Sequence, residues 1–359
     1  MHKIREQHAI LQQYTYLNTA NHGLMSQDLI DYRVQELAKM RDLASGYTNN
    51  RGVFIDQVRE TVAHFLDATV HNTALIPNFS TGFNTLVDGI PSDAKILLLE
   101  GDYPSVNWPF ETRGFNCVYA KIDSDLENQI LDTCATQQPD FFCFSMVQYI
   151  SGIKMDLDFL KQLKKQYPNM VIISDFTQYV GCEEFRFRES GIDIILASCY
   201  KWLNAGDGSA FMCIKEDVKN RILPQRFPRK TKAVMPPEST FIERFEPGHL
   251  DMITMGSLQF AIKRAQEIGL DNIENSLQKW SQTAKKEFEE RGLLHPSVVG
   301  RSHHSTIFNI KGDQQLFNQL NDRKIITSLR GDGIRVSFSY YNNQDDLNAL
   351  LEVVDLCNE

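Results

Sequence analysis

Between residues 55 and 215, short apolar runs alternate with segments whose apolar positions recur every three or four residues. The runs at 95–100, 141–145, 171–174, 192–197 and 209–214 are four to six residues long and rich in Ile, Leu, Val and Phe. Continuous apolar runs of this length are the pattern of strands buried on both faces. Between two of them, Leu157, Leu160, Leu163 and Tyr167 fall on one helical face, which Pro168 and Asn169 bring to an end. Strands and helices in alternation predict a largely parallel sheet with helices on both faces.

The texture changes after Phe245-Glu-Pro-Gly248. Helical patterns run from about 256 to 291, two β-like runs follow at 305–310 and 333–338, and an amphipathic helix occupies 344–357. This predicts a large α/β domain over 15–255, a helical connection over 256–279, and a smaller α+β domain built from 1–14 and 280–359. The stretch 215–245 reads as irregular, and a loop of that length in a compact domain is usually functional or disordered.

The formal net charge of −9 argues against a nucleic-acid or anionic-membrane surface. No apolar run approaches the roughly 18 residues that a spanning helix needs. The start, Met1-His-Lys-Ile-Arg-Glu, mixes charge with few apolar residues and does not read as a signal peptide. Seven scattered cysteines without a Cys-x-x-Cys suit reduced thiols in a cytoplasm, and no metal site is expected.

Two of the buried runs end in chemistry. Asp175-Phe-Thr-Gln178 closes one, and Ser198-Cys-Tyr-Lys201 closes the next. Open α/β sheets bind ligands outside the carboxyl ends of their strands, so the acid and the lysine are expected to share a crevice. Pyridoxal 5'-phosphate needs this pair. A lysine amine condenses with its aldehyde, and a carboxylate keeps its ring nitrogen protonated. Gln178 would face the same ring. Ser198 and the glycine-containing turn after Lys201 suit a phosphate. Ser80-Thr81-Gly82 opens a helical pattern, whose N-terminus offers free backbone N–H groups to a phosphate. Tyr103 follows the run at 95–100 and could stack on the ring, with Trp108 as the competing aromatic. Arg335 lies inside an apolar β-like run, where it needs an anionic partner; a substrate carboxylate or an internal ion pair would serve.

Taken together, these segments resemble the class V aminotransferases of the fold-type I pyridoxal phosphate enzymes, relatives of cysteine desulfurases, selenocysteine lyases, kynureninases and isopenicillin-N-epimerase-like proteins. The likeness runs from Tyr16-Leu-Asn-Thr-Ala-Asn21-His22-Gly, through Asn78-Phe-Ser-Thr-Gly and Phe144-Ser-Met-Val-Gln148-Tyr149, to Phe245-Glu-Pro-Gly-His249 and the Arg335 segment with Tyr341-Asn342. It implies a large domain with a mostly parallel seven-stranded sheet, a smaller C-terminal α+β domain, and a homodimer with shared active sites. It implies Asn21 and His22 beside the substrate, and Gln148 or Tyr149 near the cofactor oxygen. His249 would stand where relatives reach the partner's cofactor phosphate. Tyr200 holds the place of a histidine found before the lysine in desulfurases. The stretch 302–333 has no cysteine, which disfavours cysteine desulfuration. The reaction implied is transamination of an amino acid bound by its α-carboxylate, with Lys201 carrying the proton; elimination or epimerisation on the same scaffold is the alternative.

Overall fold

In the computed structural model, which describes residues 2–224 and 241–358, the apolar runs form the middle of a seven-stranded sheet. The strands are β1 (Thr15–Tyr16), β2 (Thr73–Ile76), β3 (Lys95–Leu99), β4 (Asn116–Ala120), β5 (Phe141–Ser145), β6 (Val171–Asp175), β7 (Ile194–Ser198), β8 (Ala210–Ile214), β9 (Ile307–Lys311), β10 (Ile325–Ile326), β11 (Ser328–Arg330) and β12 (Gly333–Ser337). The large sheet runs β2-β8-β7-β6-β5-β3-β4, and only β8 is antiparallel to its neighbours. Alternate residues of a strand feed opposite layers. Phe142 and Phe144 join one apolar cluster, Phe141 and Cys143 the other. Every residue of β5, β6, β7 and β8 is buried, which is why these strands read as unbroken apolar runs. By contrast, β2 is short, and the edge strand β4 is partly exposed, so neither carries that signal.

The helical pattern after 250 resolves into Met252–Ile268 and Leu270–Glu290. Gly269, at φ +88°, stops the first; its amide donates to Ala265 O. The stretch read as irregular contains short 3₁₀ turns at Glu216–Arg221 and Ile242–Arg244, and 225–240 lies outside the described residues. The smaller sheet, β11-β12-β9, is antiparallel. Trp280 stacks on Phe338 at 5.5 Å, and Phe288 meets Phe308 edge-on at 5.3 Å, so the helix Leu270–Glu290 lies on this sheet.

An N-terminal strap joins the two sheets. β1 pairs with β10, Ser337 N donates to Leu17 O (2.8 Å), and Ala20 N donates to Ser337 Oγ (2.9 Å). The strap then reaches the lysine turn, where Gly23 N donates to Tyr200 O at 3.0 Å. A Cβ on Gly23 would lie 1.8 Å from Lys201 O, so only glycine allows this approach. Among the described residues, no helix is long and apolar enough to cross a membrane.

Candidate active site

The carboxyl ends of β5, β6 and β7 open into a cleft with about 590 Å³ of empty space. A chain of hydrogen bonds ties its walls together. Thr177 N donates to the Asp175 carboxylate (2.8 Å), Ser198 N to Thr177 Oγ1 (3.1 Å), and Phe79 N to Ser198 Oγ (2.9 Å). Phe79 begins the helix Phe79–Val87, whose N-cap Asn78 accepts from Thr81 N at 2.8 Å. Asn78, Ser80, Asp175, Ser198 and Lys201 therefore line one space although they are scattered between positions 78 and 201. Ser80 Oγ donates to Ser105 Oγ (3.0 Å). Thr81 is exposed, and Gly82 serves packing: a Cβ there would lie 2.2 Å from Ile76 Cδ1.

Lys201 is only 7% exposed, with Nζ 5.6 Å from the Tyr200 ring centroid and 6.0 Å from that of Tyr103. Burial lowers its pKa to about 7; Asp175 opposes this, and Arg335 and Arg330 add to it. Burial raises the pKa of Asp175, against its bonds from Thr177 and the pull of Lys201, with Asp102 adding to the rise. The amine is thereby disposed to be neutral, the form that attacks a carbonyl.

Other expected residues fall at varying distances from this space. Gln178 lines the cleft, but both ends of its amide are taken: Nε2 donates to Ala20 O (2.9 Å), and Oε1 accepts from Trp202 Nε1 (2.8 Å). Gln148 folds its own turn, accepting from Ile150 N (2.7 Å) and Ser151 N (2.6 Å), and it is Tyr149 that stands on the wall. Tyr103 is on the wall too, whereas Trp108 is 61% exposed. Asn21 is exposed. The His22 ring packs 5.4 Å from Tyr200, with Nε2 3.2 Å from Asp207 Oδ2, behind the lining residues. His249 is exposed in a separate hollow with Arg51 and Arg59, and Glu246 of the same segment anchors it by accepting from Leu75 N at 2.7 Å.

Arg335 is 1% exposed on β12. Its Nη1 donates to Tyr149 O (2.8 Å), while Nε and Nη2 make no hydrogen bond. Burial lowers its pKa to about 10. Asp102, which with Tyr103 stands where desulfurases carry a ring-stacking histidine, lies beside these walls, and two groups on them, Ser145 and Thr177, escaped the reading of motifs. Asp102 is buried and accepts from Tyr103 N and Ser145 N, both at 2.7 Å. Ser145 Oγ is buried without a partner, and Thr177 bridges β6 to β7. Their signal was available, since each ends or follows an apolar run as Asp175 does. The donor set suits pyridoxal phosphate. The cleft offers a desolvated amine and a buried carboxylate, Asp175, that favours a cationic ring, with Asp102 bonded to the backbone of Ser145 beside it. It also offers aromatic walls, an orphaned hydroxyl, and a helix start lined by Ser80 and Ser198.

Known proteins resemble this chain over most of its length. The family described as Aminotransferase class-V matches residues 26–350. The uncharacterized aminotransferase YcbU of Bacillus subtilis is 20% identical over 308 residues, covering 82% of each chain. An uncharacterized aminotransferase of Schizosaccharomyces pombe is 24% identical over 342 residues, covering 83% of this chain and 81% of its own. Among solved structures, the apo cysteine desulfurase of Thermococcus onnurineus NA1 superposes with a TM-score of 0.86 at 16% identity, over 99% of this chain and 97% of its own. At that identity the likeness is one of fold.

Proposed function

Because the chain belongs to the class-V aminotransferase family of pyridoxal-phosphate-dependent enzymes, we propose that it transfers an amino group between an amino acid and a 2-oxo acid. One observation carries the reading: buried Arg335 bonds to Tyr149 O on the wall of the cleft that holds Lys201 and Asp175, and it keeps two donors unbonded there. When bound, pyridoxal phosphate supplies an aldehyde for the amine and a protonated ring that draws electrons from the substrate α-carbon. The chain's residues do the rest. Arg335 grips the α-carboxylate through its planar fork. Lys201 Nζ takes the α-proton and would return it to the carbon on the far side of the amino nitrogen, two atoms away. Asp175 holds negative charge against the ring nitrogen. The start of the helix Phe79–Val87, with Ser80 and Ser198, receives the phosphate. Of the seven free cysteines, none lines the cleft, and Cys357 is exposed on the last helix, so persulfide transfer finds no carrier.

The same reading includes a homodimer and a cytoplasmic location. Val34, Leu37, Met40 and Leu43 form an exposed apolar stripe along the helix Gln27–Leu43, which a second copy would cover. Sedimentation should then give a mass near twice 41.2 kDa. The activity is tested by loading the protein with pyridoxal phosphate, offering a panel of amino acids with a 2-oxo acid, and assaying the new oxo acid by chromatography. Release of ammonia or a cleaved side chain, with no amino transfer, would replace this reading with a lyase.

A further inference from the structure

The second arginine near this cleft has no assigned role. Arg330 ends β11, five positions before Arg335, and a tight turn at Gly331 (φ +63°) joins the two strands. In the antiparallel register Ser328 faces Arg335 and Arg330 faces Gly333. Directly opposed residues share a face of the ribbon, and side chains alternate along each strand. Arg330 and Arg335 therefore project from the same face of one hairpin.

That face meets Tyr149, which lines the cleft. The Arg335 guanidinium donates to Tyr149 O, and the Arg330 guanidinium lies 6.0 Å from the centroid of the Tyr149 ring. The hairpin is seated firmly. Asn309 Nδ2 donates to Arg330 O (2.7 Å), and a Cβ on Gly331 would lie 2.9 Å from Ile150 Cγ2. Among the described residues, the Arg330 guanidinium has neither a hydrogen bond nor an ion pair, and the side chain is exposed. Arg330 also pushes down the pKa of both Lys201 and Arg335, as a cation close to both must. Two arginines thus stand beside Tyr149 on the cleft wall, near Lys201 and Asp175.

We infer that Arg330 is a specificity residue which binds a second, distal carboxylate, so that the preferred substrates are dicarboxylic amino acids and their oxo acids. This rests on the proposed function, with Arg335 taking the α-carboxylate. A monocarboxylic substrate would leave Arg330 facing its cationic neighbours unneutralised, whereas a dicarboxylate neutralises both arginines. Arg330 is exposed, and ion pairs at exposed sites contribute little, so its removal should weaken a dicarboxylate by about fivefold.

The test is calorimetric titration of pyridoxal-phosphate-loaded protein with glutarate, butyrate and 3-phosphonopropionate. Loading is established beforehand by borohydride reduction and peptide mapping, so loss of the cofactor reading is seen separately. Wild type should bind glutarate more tightly than butyrate. Arg330→Gln should weaken glutarate about fivefold and butyrate less than twofold, and Arg335→Gln should weaken both. Equal losses for the two acids in Arg330→Gln would reduce Arg330 to a general field and overturn the proposal. A phosphonate bound at least tenfold more tightly than glutarate would overturn the distal carboxylate in favour of a phosphate-bearing substrate.

Discussion

The sheet wall of the cleft and the hairpin wall facing it treat their polar groups differently. On the sheet wall, Asp175, Thr177, Ser198 and Phe79 N form a continuous hydrogen-bonded chain, and Gln178 is bonded at both ends. On the hairpin wall, Arg335 keeps two donors unbonded although it is 1% exposed. A buried donor left unbonded costs about 1–3 kcal/mol, more when charged. A bonded wall holds fixed groups in fixed places, which suits a cofactor used in every turnover. A wall with unbonded cations spends stability on an affinity realised only when an anion arrives.

The largest effects should come from the sheet wall. Lys201→Ala should leave a folded chain without covalent cofactor and with turnover lower by about 10³–10⁴, near the upper range for general acid–base groups. Borohydride reduction and peptide mapping would read it; an adduct on Lys95 or Lys215 in the wild type would put the chemistry elsewhere. The pH dependence sharpens this. Because the fold lowers the Lys201 pKa from 10.5 to about 7, it favours the neutral amine. The corresponding stability is full above 10.5 and is lost as pH falls through about 7. Capture of pyridoxal phosphate by the cofactor-free protein should accordingly rise through about pH 7; a rise centred near 10 would mean that Lys201 is hydrated.

Next in size is Asp175→Asn, which keeps the bond from Thr177 N but removes the charge. Turnover should fall by about 10²–10³, the usual cost of one preorganised electrostatic partner. The amine should also become easier to deprotonate, since Asp175 is the neighbour that raises its pKa. A variant within a few-fold of wild type in rate would remove Asp175 from the ring.

Arg335→Lys tests the hairpin wall. Losing a bidentate grip is worth roughly 10- to 100-fold in KM for α-amino acids, with little change for simple amines. Arg335→Met should also leave the substrate-free chain as stable as wild type or more so, because an apolar side chain replaces uncompensated donors. A strong loss of stability would make Arg335 part of the scaffold and erase the contrast between the walls.

The two walls also differed in how legible they were. Asp175 and Lys201 stood out because β6 and β7 are buried on both faces, so an acid and a lysine at their ends interrupt long apolar runs. Arg335 stood out for the same reason on β12. Arg330 did not, because it sits on the exposed half of a hairpin whose register only the folded chain reveals. Gln148, the alternative to Tyr149 near the cofactor oxygen, is a different case. Its place in a resembling segment pointed to the cofactor, yet its carbonyl is used up by Ile150 N and Ser151 N within one turn. Side chains of Asn and Gln readily satisfy nearby backbone, and spacing does not tell which bond wins.

The smallest effect separates scaffold from binding on the sheet wall itself. Ser198 Oγ accepts from Phe79 N, and the proposed function also turns Ser198 toward the phosphate. Ser198→Ala removes both. In cofactor-free protein only the first loss counts, and freeing one backbone N–H at a helix start should cost about 1 kcal/mol. In a chain of this size that lowers Tm by roughly 2 °C. In loaded protein, a role in phosphate binding adds a second loss, seen as a cofactor Kd raised about fivefold and a larger fall in Tm than in the cofactor-free protein. Equal Tm shifts in the two forms, with Kd unchanged, would leave Ser198 as a brace between β7 and the helix Phe79–Val87, and would assign the phosphate to that helix and Ser80 alone.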